Sequence, residues 1–154
     1  MSRPLILVTN DDGINAAGVN ALADFVSELG DVVVVAPDQP RSGQSHSITI
    51  EIPLKYQRLN RESKYPLYTC NGTPVDAVKI ASHHILDRKP DLLVSGINHG
   101  SNSSVNIIYS GTVAAVIEGA MGEIPSIGFS LLDYSAFADF QPVKPYVQKI
   151  ARKV

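Results

Sequence analysis

The sequence predicts an α/β fold in which a mostly parallel sheet carries helices on both faces. Apolar, strand-like runs alternate along the chain with helix-like segments, and residues typical of turns separate them. The runs are apolar on both of their faces, which is typical of a parallel sheet covered on its two sides. The exception is the segment 47–70, where we expect a small antiparallel excursion because apolar and polar residues alternate.

The N-terminal part of the chain reads as a β-α-β unit. Residues 5–9 form a compact apolar run that ends at the turn-forming residues Asn10-Asp11-Asp12-Gly13. Residues 17–29 place their apolar side chains at helical spacing, and residues 32–36 form a second buried strand. The loop 37–46 follows, and it has almost no apolar residue.

The following segments alternate between the same two types. Residues 47–52 are predicted to be a strand of the antiparallel excursion, with a polar turn near residues 60–64. Thr73-Pro74-Val75-Asp76 has the residue types of a helix start, namely an N-cap, a proline at the first position and an acid in the first turn. This helix is expected to run to about Leu86.

The C-terminal part of the chain adds two strands and two helices to the prediction. Residues 91–97 are a buried strand that leads into the polar loop 98–106. An apolar helix is expected over residues 110–121, a strand over 126–131 and an amphipathic helix over 143–154.

Composition limits the classes of function. The chain has 154 residues, of which 44% are hydrophobic and 18% charged, so residues 1–154 are expected to form a single domain. The net charge of −2 argues against a duplex nucleic acid or a membrane as partner. Cys70 is the single cysteine, which excludes a disulfide framework within the chain. The N-terminus lacks a signal-peptide pattern and no segment is long enough to span a bilayer, so a cytoplasmic location is expected.

Polar residues collect where the predicted strands end. Ligands of open α/β sheets bind outside the carboxyl ends of the strands. Three strand ends and one helix start carry such groups: Asn10-Asp11-Asp12-Gly13, Arg41-Ser42-Gly43, Gly96-Ile97-Asn98-His99-Gly100 and Ser110-Gly111-Thr112. If the strands are neighbours, all four groups face one crevice.

The acidic pair, Asp11 and Asp12, indicates a metal site. Adjacent carboxylates repel each other, and a divalent cation removes that repulsion; oxygen ligands suit Mg²⁺ or Mn²⁺. Asn98 and Ser42 could add neutral oxygen ligands. Each of these residues is also typical of an ordinary solvated turn, so their convergence matters more than any one of them.

The residues Ser110-Gly111-Thr112 resemble a phosphate-binding helix start. Free backbone N–H groups and the positive end of the helix dipole attract an anion there. Plain N-capping by Ser110 is the alternative, and it is compatible with phosphate binding. His99 could transfer protons, although a role at the loop surface is equally consistent with its position.

Together these patterns predict a divalent-metal-dependent phosphomonoesterase. The metal would polarise a phosphoryl oxygen and activate water for in-line attack, and residues 110–112 would stabilise the charge on the phosphate. Asp11 or Asp12 could serve as general base or as nucleophile. A non-catalytic nucleotide-binding module and a receiver-like phospho-acceptor domain are the alternatives.

Several motifs in order along the chain resemble the SurE (survival protein) family of 5′/3′-nucleotidases. They are Ile6-Leu7-Val8-Thr9-Asn10-Asp11-Asp12-Gly13, Ala36-Pro37-Asp38 with Arg41-Ser42-Gly43, Gly72-Thr73-Pro74-Val75-Asp76, Ser95-Gly96-Ile97-Asn98-His99-Gly100, and Tyr109-Ser110-Gly111-Thr112-Val113-Ala114-Ala115 with Glu118-Gly119. The first motif alone has little specificity, whereas the ordered set is highly specific.

The resemblance implies a Rossmann-like fold and hydrolysis of nucleoside 5′- or 3′-monophosphates. It implies one Mg²⁺ or Mn²⁺ per subunit, held by Asp11, Asp12, Ser42 and Asn98, and phosphate contacts from Asn98, Ser110, Gly111 and Thr112. It also implies a homodimer or homotetramer. Family members commonly carry an acid where this chain has Asn106, and they continue beyond residue 154, so this chain is expected to lack the C-terminal portion of the family.

Overall fold

One six-stranded sheet forms the centre of the protein. The computed structural model describes residues 3–154, so Met1 and Ser2 of the N-terminal segment assessed above lie outside the described residues. The strands are β1 (Leu5–Thr9), β2 (Asp31–Pro37), β3 (Tyr56–Arg58), β4 (Leu67–Cys70), β5 (Leu92–His99) and β6 (Ser126–Leu131). Their order in the sheet is β3-β4-β2-β1-β5-β6. Only β3, the short outer strand, runs antiparallel to its neighbour, and the other pairs are parallel.

Helices cover both faces of this sheet, as predicted. They are α1 (Ala17–Val26), α2 (Pro74–Ile80), α3 (Asn106–Tyr109), α4 (Gly111–Met121) and α5 (Lys144–Ala151). A π-helical turn, Ala81–Ile85, extends α2, and a 3₁₀ turn, Gln141–Val143, precedes α5. Helices α1 and α5 pack together on one face, and α2 and α4 pack together on the other.

Alternate side chains of the central strands enter two separate cores. Leu7 packs with residues of α2 and α4, whereas Val8 packs with residues of α1 and α5. Both side chains are fully buried, as expected for a strand covered on its two faces. The α/β fold with a mostly parallel sheet is therefore confirmed.

A capping box fixes the start of α2. The Thr73 hydroxyl accepts a hydrogen bond from the Asp76 amide at 3.1 Å, and the Asp76 carboxylate accepts one from the Thr73 amide at 2.9 Å. These reciprocal bonds satisfy N–H groups that have no partner inside the helix. The helix start predicted from Thr73-Pro74-Val75-Asp76 is therefore confirmed.

The strand predicted over residues 47–52 is wrong. This segment has no regular structure, and Ile48, Ile50 and Ile52 are all more than half exposed. The Thr49 amide donates to the Asp76 carboxylate at 3.1 Å and therefore does not join a strand ladder. The outer edge of β4 already pairs with β3 and is not open to residues 47–52. The antiparallel part of the sheet therefore lies within residues 56–70, and residues 59–66, which include the predicted turn near 60–64, connect its two strands.

Other boundaries also differ from the prediction. Helix α1 ends at Val26 rather than at residue 29, and the last helix spans Lys144–Ala151 rather than 143–154. Strand β5 continues through His99, so Asn98 lies within the strand end and not in the following loop. The single turn α3 falls in a stretch where no helix was expected. Within residues 3–154, no helix is long and apolar enough to cross a membrane.

The contrast between buried and exposed isoleucines gives a test of this fold. Ile6 is 2% exposed and Ile50 is 81% exposed. We expect Ile6→Ala to lower the free energy of unfolding by about 2–5 kcal/mol, because it leaves a cavity in the core. Ile50→Ala is expected to change it by no more than about 0.5 kcal/mol. Urea unfolding of both variants measures the difference, and equal losses would contradict the position given to residues 47–52.

Candidate functional site

The candidate site lies where the strand order reverses. The chain moves from β1 outward through β2 and β4 on one side and through β5 and β6 on the other, so the switch point falls between β1 and β5. Ligands of open α/β sheets bind at this place. A crevice of about 240 Å³ opens there; its lining includes Asp11, Asp12, Ser42, Asn98, His99, Asn102, Asn106, Tyr109 and Ser110. The structure therefore brings the four predicted metal ligands together in one crevice.

The acidic pair sits on a tight turn directly after β1. The Asn10 side chain is buried; its Oδ1 accepts from the Gly13 amide at 3.2 Å, and its Nδ2 donates to the Gly13 carbonyl at 3.0 Å. Gly13 has a φ of +92°, a conformation that glycine adopts without strain. This closed turn holds Asp11 and Asp12 at the edge of the sheet.

Asp11 is buried against the start of α4. The residue is 4% exposed, and its Oδ1 accepts a hydrogen bond from the Thr112 hydroxyl at 2.6 Å. A Cβ atom at Gly111 would lie only 2.6 Å from the Asp11 Cβ, so α4 approaches this closely only because residue 111 is glycine. Burial raises the pKa of Asp11, and the hydrogen bonds from Thr112 and from the Gly111 amide partly offset that rise.

Asp12 is less buried than Asp11 and is affected by the charge of that residue. Burial raises its pKa, and the negative charge of Asp11 raises it further, while the nearby His99 lowers it. The His99 Nδ1 is 3.0 Å from the Asp133 carbonyl, and its ring packs edge-on against Phe140. Two carboxyl groups whose ionisation is disfavoured thus share one crevice. A bound cation would offset this effect, because its positive charge stabilises both carboxylates.

Asn102 links Asn98 and Ser110, two of the residues predicted to contact phosphate. It was not identified as a site residue from the sequence. Its Oδ1 accepts from the Asn98 Nδ2 at 3.0 Å and from the Ser110 hydroxyl at 3.1 Å. Ser110 also caps α4 by accepting from the Val113 amide at 3.1 Å. The loop 98–106 contains several asparagines and serines, so composition alone could not single out Asn102.

Main-chain contacts place the Ser42 loop beside the acidic pair. The Arg41 amide donates to the Asp11 carbonyl at 2.7 Å, and the Ser45 amide donates to the Tyr109 carbonyl at 3.3 Å. Farther along the loop, the His46 Nε2 is 3.2 Å from the Glu118 carboxylate of α4. The loop is thus attached both to the end of β1 and to α4, and Ser42 lies between these attachments.

The available ligand atoms fit a hard divalent cation. Among residues 3–154, no three side chains of the His, Cys, Asp and Glu types converge as a possible metal site. A cation in the crevice would therefore be held by two carboxylates together with neutral oxygens, which Ser42 and Asn98 carry. An all-oxygen set of this kind suits Mg²⁺ or Mn²⁺ better than a thiolate- or imidazole-binding metal.

The fold and the crevice define an α/β protein of the Rossmann-like type with an oxygen-lined site at its switch point. Sequence comparison gives the family. The profile of the Survival protein SurE family matches residues 6–154, and the chain belongs to that family. The resemblance noted in the motifs is therefore confirmed.

Individual relatives agree with this family assignment. The 5′-nucleotidase SurE of Christiangramia forsetii is 57% identical over 99% of this chain and 59% of its own length. That of Flavobacterium psychrophilum is 56% identical over 100% of this chain and 60% of its own length. A crystal structure of the SurE protein from Aquifex aeolicus has 40% identity and a TM-score of 0.85, over 98% of this chain and 60% of that chain. This chain thus spans about three fifths of the length of these relatives.

The raised pKa of Asp12 predicts a pH-dependent effect on stability. Because the folded state holds this proton more tightly than the unfolded chain, stability of the metal-free protein falls as pH rises from 3.8 through the raised pKa. We expect Asp12→Asn to raise the free energy of unfolding at neutral pH, and we expect the gain to vanish below pH 3.8. Urea unfolding in the presence of a chelator measures it; a gain that is the same at both pH values would contradict the electrostatic cause.

Proposed function

We propose that the chain carries the active site of a divalent-metal-dependent phosphomonoesterase that hydrolyses nucleoside 5′- and 3′-monophosphates. The observation that carries the proposal is the crevice that gathers Asp11, Asp12, Ser42 and Asn98 next to the start of α4. Relatives over nearly the whole chain bear the name 5′-nucleotidase, which supports the substrate class. The names of these relatives mention neither a metal nor activity on 3′-monophosphates, so both are part of the proposal.

The proposed metal is one Mg²⁺ or Mn²⁺ per subunit, held by Asp11, Asp12, Ser42 and Asn98. When bound, it would supply charge stabilisation and a more acidic water. Asp11 is oriented before any ligand arrives, because the Thr112 hydroxyl donates to its carboxylate. Homodimer or homotetramer formation, which the family resemblance implies, stays a prediction.

The phosphate group is proposed to bind between the acidic pair and the first turn of α4. The N-terminus of a helix offers amide donors and the positive end of the dipole to an anion. Ser110, Gly111 and Thr112 form this turn, and Asn98 reaches it through Asn102. The Ser110 hydroxyl donates to Asn102 at 3.1 Å, and in this proposal it would exchange that bond for one to a phosphate oxygen.

Asp12 is the carboxylate better placed to exchange a proton with the attacking water. Asp11 is nearly fully buried and accepts the Thr112 hydroxyl hydrogen, whereas Asp12 is only partly buried. In this proposal Asp12 accepts one proton as the water oxygen bonds to phosphorus. The phosphorus–oxygen ester bond then breaks, and the nucleoside leaves as an alcohol after its oxygen takes up one proton. That proton is returned from Asp12 directly or through water, which leaves Asp12 ionised again.

Two alternatives make different demands on the same site. A receiver-like domain needs an acceptor aspartate in the same crevice as the acidic pair, yet β5 beside β1 ends with Asn98 and His99, and the aspartates that line the crevice are Asp11 and Asp12 themselves. A non-catalytic binding module would bind nucleoside monophosphates without releasing phosphate. Measurement of inorganic phosphate separates hydrolysis from both alternatives.

The central test is phosphate release from a panel of nucleoside monophosphates. We expect turnover with Mn²⁺ or Mg²⁺, none with a chelator, and none in Asp11→Asn, because that variant loses a charged ligand at the crevice. Asp87→Asn, which changes an exposed aspartate outside the crevice, is the matched control and should retain turnover. Substantial metal-dependent activity in Asp11→Asn would refute the assignment.

The bond from Thr112 to Asp11 gives a second test. Thr112→Val keeps the shape of the side chain but removes the donor, and a hydrogen bond to a charged group of this kind predicts a fall in kcat/KM of about 10- to 150-fold. Thr112→Ser restores the hydroxyl and should recover most of the activity. Circular dichroism checks that both variants fold. Equal activity in the two variants would show that the hydroxyl is not needed.

A further inference from the structure

A second cavity lies at the same edge of the sheet as the oxygen-lined crevice. It has a volume of about 230 Å³ and opens where β2 and β4 end and β3 begins. Asp38, Tyr56 and Thr69 are among its lining residues, and none of them lines the crevice. Clefts that hold drug-sized ligands measure roughly 300–1,000 Å³, so this cavity suits one part of a larger ligand.

The cavity is lined by one buried polar group that the described part of the protein does not satisfy and by one exposed carboxylate. Thr69 is 7% exposed, and its hydroxyl has no hydrogen-bond partner within the described part of the chain, residues 3–154. A buried polar group without a partner is costly and is rare in native proteins. Asp38 is fixed by its amide, which donates to the Cys70 carbonyl at 2.7 Å, while its side chain stays 46% exposed.

An aromatic ring forms another part of the lining. Tyr56 is 45% exposed, and its ring stacks on His84 with centroids 6.3 Å apart and an interplanar angle of 26°. The neighbouring wall is held by Asn71, whose Oδ1 accepts from the Lys55 amide at 2.8 Å and whose Nδ2 donates to the Pro53 carbonyl at 3.1 Å. The ring thus has one neighbour, His84, and the backbone just before it is fixed by Asn71.

Arg41 connects this cavity to the crevice. Its amide donates to the Asp11 carbonyl at 2.7 Å, and its guanidinium donates to the Asn71 carbonyl at 2.8 Å and lies 3.6 Å from the Asp38 carboxylate. The strands β1 and β4 are two positions apart in the sheet, which corresponds to about 10 Å. A mononucleotide extends over a comparable distance from its phosphate to the far edge of its base.

We propose that this cavity is the nucleoside-binding part of the site, an inference that rests on the function proposed above. Asp38 directly follows β2, the position from which a carboxylate accepts hydrogen bonds from ribose hydroxyls in other nucleotide-binding α/β sheets. Tyr56 stacks on the base, a contact that tolerates any of the bases because each has a π-face. Thr69 supplies a further polar contact to the nucleoside.

The test measures nucleoside binding directly, by isothermal titration of the full chain with adenosine, guanosine, cytidine and uridine, none of which carries phosphate. Tyr56→Ala should weaken binding by about 5- to 150-fold, the range for loss of one base–aromatic stack, and Tyr56→Phe should restore it. Asp38→Asn should reduce the preference for a ribonucleoside over its 2′-deoxy analogue. Tyr146→Ala, at an exposed tyrosine of α5, is the matched control and should bind as the unaltered chain does.

Kinetics provide a second readout of the same variants. The fall in kcat/KM for Tyr56→Ala should be larger with a nucleoside monophosphate than with phenyl phosphate, which has no nucleoside. Nucleoside binding that is absent, or that is insensitive to Tyr56→Ala, would overturn the assignment of the cavity. If nucleosides bind through Tyr56 but no ester is hydrolysed, the cavity assignment stands and the proposed function fails.

Discussion

The candidate site depends on one hydrogen bond between residues 101 positions apart in the chain, from the Thr112 hydroxyl to the Asp11 carboxylate. It joins the turn after β1 to the first turn of α4, so the acidic pair and the helix start occupy one place. Because the bond is buried and one partner is a carboxylate, it is among the stronger kinds of hydrogen bond in proteins. Other contacts complete the site around this junction: the Asn10 side chain closes the turn that carries Asp12, and the Arg41 amide attaches the Ser42 loop to the Asp11 carbonyl.

The two carboxylates of the crevice lower the stability of the folded chain when no ligand is bound. Burial disfavours the ionisation of both Asp11 and Asp12, and the negative charge of Asp11 disfavours that of Asp12 further. The rest of the fold supports this local cost through two well-filled cores, one on each face of the sheet. Such a conflict between local electrostatics and folding is typical of functional sites.

The sequence predicted those features that depend on apolar patterning and on strong local signals. Strands such as Leu5–Thr9 were found because they are apolar on both faces, and α2 because Thr73 and Pro74 mark its start. The strand over residues 47–52 was not borne out because its alternating pattern faces solvent, and Asp76 binds the backbone there. Pattern alone does not tell which element already occupies the edge of a sheet.

The residues of the crevice could be predicted from their positions at strand ends, but their connections could not. Asp11, Asp12 and Asn98 follow from the rule that ligands bind at the carboxyl edge of the sheet. Asn102 and the two-sided role of Arg41 depend on loop conformation, for which composition gives no signal. A single sequence therefore predicts the residues at strand ends, but not the contacts made by residues in loops.

The close approach of α4 to β1 also provides a criterion for examining natural variants of this chain. The smallest side chain added at position 111 would place a methyl carbon 2.6 Å from the Asp11 Cβ, well inside van der Waals contact. Every other residue at that position must push the helix away from the acidic pair. A homologous sequence that keeps both aspartates but replaces this glycine would thus keep the acidic pair without its close contact to α4, and a single column of an alignment identifies such a sequence.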